Sequence, residues 1–351
     1  MKKYLVFCFV ICFLSSCDTT FTVNAPWRDV TVVYGLLNPN DTIHYVRINK
    51  AFLGKVSAYD MAQIRDSSEY NSGDIEVSVV EMENGGWKAA FPLTSYEDTN
   101  KSSGTFYSPD QTLYRFEASL NQDRDYTLKI KNNLTGKDVL AETPIVNTGA
   151  NLRIGDFGMG AQTVSLYSNG NYANPEIVWS SVKNGVRYQL TMRFNYLEKN
   201  LDTGVETNKH IDFIYPTKQS SDDDGGDKML VEINGEEFFK YISQKLEPKS
   251  STNNVLRCIR EVDLHLDIAG EYFNTYLEVN EPSTGIVQER PEFTNVFDES
   301  GNSHIGIFST RATESRLGYP LATSSISGNT VTELKSGQYT AGYGFESGAC
   351  P

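Results

Sequence analysis

The sequence predicts a mainly β chain of two β-sandwich domains, the second carrying an inserted α-helix. Three observations carry that prediction. Short runs rich in Val, Ile, Thr and Tyr recur from Val30 onward, separated by Asn, Asp, Pro and Gly clusters that turn the chain. The 351 residues exceed the roughly 250 that one hydrophobic core usually organises. An amphipathic helical pattern near 235–247 interrupts the strands of the second half.

The chain begins with an export address. Met1-Lys2-Lys3 gives a positive start, and Tyr4 to Leu14 is an apolar run of signal length, too short to span a bilayer. Leu14-Ser15-Ser16-Cys17 follows and looks like a bacterial lipobox, whose cysteine becomes the lipidated N-terminus. Residues 1–16 therefore read as a lipoprotein signal peptide, and 17–26 as the lipidated end and its tether. A diacylglyceryl group and an amide-linked acyl chain such as palmitate supply the two hydrophobic signals that stable anchoring requires. Of the 31 Lys and Arg, Lys2 and Lys3 leave with the signal, so 29 face 45 acidic residues and the formal charge moves from −14 to −16. That acidity, with no Lys/Arg run longer than two, opposes nucleic-acid binding.

The first domain is expected over 27–148. Val30 to Leu37 and Ile43 to Phe52, joined by Asn38-Pro39-Asn40-Asp41, read as a hairpin; Ile43, Tyr45 and Ile48 are its apolar set and His44, Arg47 and Asn49 its polar set. Ala58, Met61, Ala62 and Arg65 lie at helical spacing, so a short helix or ordered insertion is expected between Ser57 and Tyr70. Ile75 to Val79 alternates, Asn84-Gly85-Gly86 turns, and Trp87 to Leu93 returns. Leu113 to Ala118, Tyr126 to Lys131 and Val139 to Val146 complete the set. Asn147 to Asn151 is the expected boundary.

The second domain is expected over 149–351. Ile177-Val178-Trp179, a turn at Asn184-Gly185 and a strand from Tyr188 resemble the B-to-C strand hairpin of fibronectin type III domains, where Trp plugs the inter-sheet core and Tyr packs beside it. The two sandwiches are on this ground of immunoglobulin/fibronectin III-like type. Asn234 reads as an N-cap, with Glu236 and Glu237 in the first turn and Phe238, Phe239, Ile242 and Leu246 at helical spacing. Leu256 to Ile268 reads as a long strand, Gly306 to Ser309 as a short one, and the Gly/Ser-rich tail from Ser324 carries Tyr339 and Tyr343.

Chemistry-bearing groups are few. After removal of Cys8 and Cys12 and lipidation of Cys17, Cys258 and Cys350 remain, either as one disulfide or as two thiols. Asp263, His265 and Asp267 share one strand face, which reads either as a weak metal set or as a solvated face whose reverse, Val262, Leu264, Leu266 and Ile268, is core. Asp222 to Asp227 resembles the start of a calcium loop but has Ile233 where the bidentate Glu belongs. No nucleophile elbow, P-loop, dinucleotide fingerprint or paired-His motif occurs, so neither a cofactor nor a catalytic residue is assigned. The 20 Tyr, 18 Phe and 3 Trp serve either as sandwich core or as a glycan-binding platform.

The lipobox at Cys17, the strand pair Val32 to Leu37 and Tyr45 to Phe52, the extended Asp263 to Tyr276 segment, and Pro291 to Val296 leading to Ile305-Gly306-Ile307-Phe308 resemble Bacteroidota outer-membrane lipoproteins classed as domain of unknown function 4249. The chain departs from that pattern at Ile305, where Gly is common, and in its acidic 220–228 loop. The resemblance implies an outer-membrane lipoprotein, often beside a TonB-dependent receptor, with no catalytic residues to carry over. Asp18-Thr19-Thr20 and Asp41-Thr42-Ile43 match the phylum's short O-glycosylation pattern, making Thr19 and Thr42 candidate acceptors. The expected function is a non-enzymatic outer-membrane accessory or scaffold, with a surface glycan or nutrient binder as the alternative and a hydrolase with an unrecognised site as the third.

Overall fold

The computed structural model describes residues 29–52, 57–155, 163–281, 292–321 and 329–347. The first half runs β1 (Thr31–Leu37), β2 (Ile43–Lys50), α1 (Ala58–Ala62), α2 (Arg65–Ser68), β3 (Ile75–Glu83), β4 (Gly86–Pro92), β5 (Thr94–Asp98), β6 (Gln111–Glu117), β7 (Asp125–Asn132) and β8 (Lys137–Pro144). There follow β9 (Arg153–Ile154), β10 (Tyr167–Ser168), β11 (Asn171–Tyr172), β12 (Glu176–Ser180), β13 (Arg187–Asn200), β14 (Glu206–Ile214), β15 (Lys218–Gln219) and β16 (Lys228–Glu232). The chain closes with α3 (Gly235–Lys245), β17 (Val255–Ala269), α4 (Glu271–Asn280), β18 (Val296–Asp298), β19 (Ile305–Tyr319), α5 (Thr330–Ser336) and β20 (Phe345–Glu346). The fold is mainly β, with mixed and antiparallel sheets.

One ten-stranded sheet dominates, in the order β14-β13-β17-β19-β1-β2-β6-β5, with β15 and β20 appended to β13 and β17. Against its first-half strands packs a five-stranded sheet, β18-β8-β7-β3-β4, burying Val33, Val46, Val77, Leu128 and Phe308 between the layers. Against its other half pack the β16-β12-β9 sheet and α3, burying Trp179, Tyr188, Phe194, Leu264 and Ala312. The α3 helix forms where the sequence places it: the Asn234 side chain accepts from Glu237 N, and Phe238, Phe239 and Ile242 are buried on one side. Trp179 and Tyr188 are both buried, with ring centroids 6.2 Å apart. The Tyr188 hydroxyl accepts from Val182 N at 2.8 Å and donates to Gly185 O at 3.0 Å, locking the turn in which Asn184 takes a φ of 61°.

β19 joins the two halves. Its first part pairs parallel with β1, from Val32↔Ile305 to Leu37↔Thr310, and its second part pairs antiparallel with β17, from Arg311↔Ala269 onward. Phe308 enters one core and Ala312 the other. Gly306 sits at the entry with φ 103°, and a Cβ there would lie 1.9 Å from Val33 O, so no side chain fits the approach of β19 to β1. Phe308 lies where β17 does not reach, and Asn295 takes the place of a strand partner. Its Nδ2 donates to Phe308 O at 2.6 Å and to Glu142 O at 3.1 Å, while its Oδ1 accepts from Phe308 N at 3.0 Å. One carboxamide therefore pins the large sheet to β8 of the five-stranded sheet.

Several expectations are corrected. Strand parity groups Ile43 and Tyr45 with Arg47 on the outer face and buries His44 with Val46 and Ile48, because side chains alternate strictly and polarity does not override that period. The strands flanking Asn184-Gly185 form no hairpin: β12 pairs with β16 and β9, and β13 with β14, β15 and β17. The segment after Asp263 is not extended to Tyr276, since Gly270 ends β17 and α4 begins at Glu271. The short strand at 306–309 is the start of the 15-residue β19, whose polar second part reads as loop because its outward residues face solvent. The tail holds a helix, α5, capped by the Asn329 side chain accepting from Thr332 N.

Asn295→Ala is expected to lower the unfolding free energy by ~2–3 kcal/mol in urea titrations, since it strands the Phe308 backbone groups in a partly buried site. Gly306→Ala is expected to cost at least as much.

Candidate functional site

The outer face of the large sheet changes character along its width. On β19, residues 305, 307, 309, 311, 313 and 315 share that face, because Phe308 and Ala312 point into the cores. Over the β13-β17 half the face is a polar ladder. Arg193 donates to both oxygens of Asp212 at 2.7 and 2.9 Å, and Asp263 accepts from Asn195 Nδ2 at 2.8 Å and Gly318 N at 2.9 Å. Asp267 accepts from Thr313 Oγ1 at 2.8 Å. His265 Nδ1 lies 2.9 Å from Ser315 Oγ, and its Nε2 is buried without a hydrogen-bonding partner among the described residues.

Over the β1-β2-β6-β5 half the same face is aromatic. Tyr34, Tyr45 and Tyr96 stay 39, 40 and 38% exposed, and Ile43 42%, although each lies within a strand. Their inward neighbours Val33, Val46 and Tyr114 fill the core. Tyr45 meets Tyr96 edge-on at 5.7 Å, and the Arg115 guanidinium lies 5.1 Å over the Tyr96 ring. Arg115 pairs in register with Tyr45 on β2 and with Thr94 on β5, two residues from Tyr96, so the β2-β6 and β5-β6 ladders set the cation between the two rings. At the other end Tyr276 of α4 meets Tyr34 edge-on at 6.3 Å. Burial, then the neighbouring Tyr34 hydroxyl, pushes the Tyr276 phenol above its ordinary value.

The helix α4 divides the two territories. Phe273 N donates to Ser309 Oγ at 3.1 Å, fixing the helix onto β19. A cavity of about 460 Å³ opens on its aromatic side, lined by Tyr34, Ile43, Tyr45 and Tyr276, and one of about 390 Å³ on its polar side, lined by Arg187, Gln189 and Asp267. Phe273 and Arg311 line both. Beneath the aromatic cavity, His44 is buried against Phe116 at 4.9 Å, and its Nε2 lies 3.0 Å from Ala118 O. A carbonyl only accepts, so the proton of the neutral ring sits on Nε2.

The residues singled out in the sequence do not meet in this region. Cys17, Thr19 and Cys350 lie outside the described residues. Cys258 is fully buried on β17 and disulfide-bonded, and its register partner on β20 is Glu346. Thr42 is exposed in the bend before β2. Asp263, His265 and Asp267 are spread along the polar ladder, each with a cross-strand contact, and their reverse face Val262, Leu264, Leu266 and Ile268 is buried. The acidic loop folds on itself, Asp227 accepting from Ser221 N and Oγ at 2.8 Å. Among the described residues no group of three His, Cys, Asp or Glu side chains converges on a metal-sized site. Also among the described residues, no helix is long and apolar enough to cross a membrane. The aromatic face itself carries a sequence signal, the shared parity of Ile43, Tyr45 and Arg47. Compared with known proteins, the chain matches no family model and no curated sequence.

Burial holds the His44 imidazole below its ordinary value of 6.5, outweighing the Ala118 carbonyl and the Asp41 carboxylate that favour its proton. The unfolded chain therefore binds a proton that the native state resists. Its contribution to stability is complete above pH 6.5 and is lost as the pH falls below that value, by up to ~1.4 kcal/mol per pH unit until the folded ring titrates. Urea midpoints between pH 7 and 5.5 should show this slope, and His44→Gln should flatten it.

Proposed function

We propose that the chain is a non-enzymatic, lipid-anchored accessory protein of the outer membrane that docks a membrane partner through its aromatic sheet face. The observation that carries this reading is the cluster of Tyr34, Tyr45, Tyr96 and Ile43, left exposed together on a rigid sheet with Arg115 seated over Tyr96. Tyr and Arg are the residues that protein interfaces concentrate at their centres, and Glu117 and Asp98, on the same face of β6 and β5, supply a polar rim. The aliphatic Ile43 and Ile305 within the patch favour a protein over a glycan, since sugars stack on rings and bring few apolar surfaces to match aliphatic chains.

The lipid anchor rests on the Leu14-Ser15-Ser16-Cys17 segment, and the outer-membrane address on the resemblance of the quoted segments to Bacteroidota lipoproteins. A TonB-dependent receptor is the partner class that resemblance supplies. In this reading the two halves are sandwiches of immunoglobulin/fibronectin III type, supported by the Trp179 plug beside Tyr188 and merged along β19.

The test is photo-crosslinking in cells with a reactive amino acid at position 43. A single envelope protein should be captured, and co-purification from detergent-solubilised membranes should fall at least ~10-fold in a Tyr34→Ala, Tyr45→Ala double variant that keeps its lipid. Recovery of only the free monomer would overturn the reading. Capture of polysaccharide instead of protein would transfer the face to the glycan-binding alternative.

A further inference from the structure

A cavity of about 730 Å³ opens at the lateral edge where the two layers of the first half separate, reached from the aromatic face only at Tyr96. Its volume falls in the range of ligand clefts, ~300–1,000 Å³. One wall is β3 and the other is β5, and the chain passes between them at Pro92-Leu93 as it leaves the five-stranded sheet for the large one. That departure leaves β3 half-paired. With β7 it pairs along its whole start, from Ile75↔Asn132, but with β4 it pairs only from Ser78↔Pro92.

Two hydrogen bonds fix which backbone groups face the gap. Asp74 O accepts from Asn133 N at 2.9 Å on the β7 side, and Val77 O accepts from Leu93 N at 2.8 Å on the β4 side. Backbone groups of a strand alternate, so the N–H and C=O of Ile75 and the N–H of Val77 point into the cavity. The bond that would return from Val77 N to Leu93 O is missing, and Ile75 has no partner on that side among the described residues. On the opposite wall β5 ends the order of the large sheet, so among the described residues its outer edge is unpaired as well. The base of the slot is apolar, formed by Ile75, Val77, Leu93 and Tyr114, with the Tyr70 phenol held 3.2 Å from Thr31 Oγ1. Burial pushes both phenols up to about 12, so the base carries no charge at neutral pH. Outside it lies Glu76, 3.6 Å from Lys131.

We infer that this slot accepts an extended peptide segment of a partner protein as an added strand on β3, continuing the ladder that β4 abandons. The added strand receives hydrogen bonds from the Ile75 and Val77 amides and returns one to Ile75 O. Its alternate side chains enter the base against Val77 and Tyr114, and the others lie beside Glu76 and Ser78. The segment that fits alternates apolar with polar residues, since Glu76 is matched by Lys131 and Lys129 lines the same side. An oligosaccharide would leave the row of backbone groups unevenly matched. The inference does not rest on docking through the aromatic face and is tested without it.

The experiment pans a library of random peptides of about seven residues, a strand's length, against the immobilised full-length chain in detergent. The enriched sequences should alternate as stated. Free peptides of those sequences should slow exchange of the Ile75 and Val77 amides at least ~10-fold, and N-methylation at the peptide positions that pair with β3 should abolish the effect. Ile75→Pro removes one donor without touching the β7 ladder and should abolish enrichment. Should Ile75→Pro fail to fold, the N-methylated peptide makes the same test on the unaltered chain. Absence of enrichment, equal binding of the N-methylated peptide, or protection by maltoheptaose but not by peptide would overturn the inference.

Discussion

The Asn295 carboxamide is the contact on which the arrangement of the two halves turns. A strand that leaves one ladder and joins another has, at the crossover, backbone groups that neither ladder satisfies. In β19 that point is Phe308, bonded by neither β17 nor any other strand on its second side, with a ring buried in the first core. Asn295 supplies both the acceptor and the donor that a neighbouring strand would have supplied, and its second amide hydrogen reaches Glu142 O. Without it the pairing of β19 with β1 would carry an unsatisfied buried edge, at a cost of about 1–3 kcal/mol per group.

From that continuity follows the division of the outer face. A strand that stays in register across both halves keeps its parity, so Ile305 and Ile307 at one end and Thr313 and Ser315 at the other look out of the same surface. The first-half strands bring Tyr34, Tyr45 and Tyr96 to that surface and the second-half strands bring Arg193, Asp263, His265 and Asp267. The α4 helix, seated by Phe273 on Ser309, lies over the seam. A single sheet thus presents an aromatic half and a polar half whose charges are mostly spent on one another. The peptide slot is a different consequence of the same economy of strands: β4 must leave β3 to become β5, and the edge it abandons stays open.

Alternation and turn chemistry made most strands legible. β1, β2, β3, β4, β7 and β17 lie where β-branched alternation between Asn, Gly and Pro turns puts them, and α3 lies where Asn234 and its apolar spacing put it. The long second part of β19 was not legible, because Arg311, Thr313 and Ser315 carry no apolar alternation of the kind that marks a half-buried strand. The helix α4 was hidden by its Tyr, Phe, Thr and Val content, which reads as β until Gly270 breaks the strand. The candidate site was half legible: parity places Tyr45 with Arg47, but whether that face is covered depends on a second layer that local sequence does not describe.

By itself, then, the sequence determined the mainly β character and the position of α3, each of which depends on local periodicity or capping. Only the tertiary structure decided that β1 and β19 lie side by side, since a parallel pairing across about 270 residues leaves no short-range trace. It likewise decided which tyrosines are core and which are surface. Tyr114 and Tyr45 are the same residue in the same kind of strand, and they differ only in whether a second sheet stands opposite.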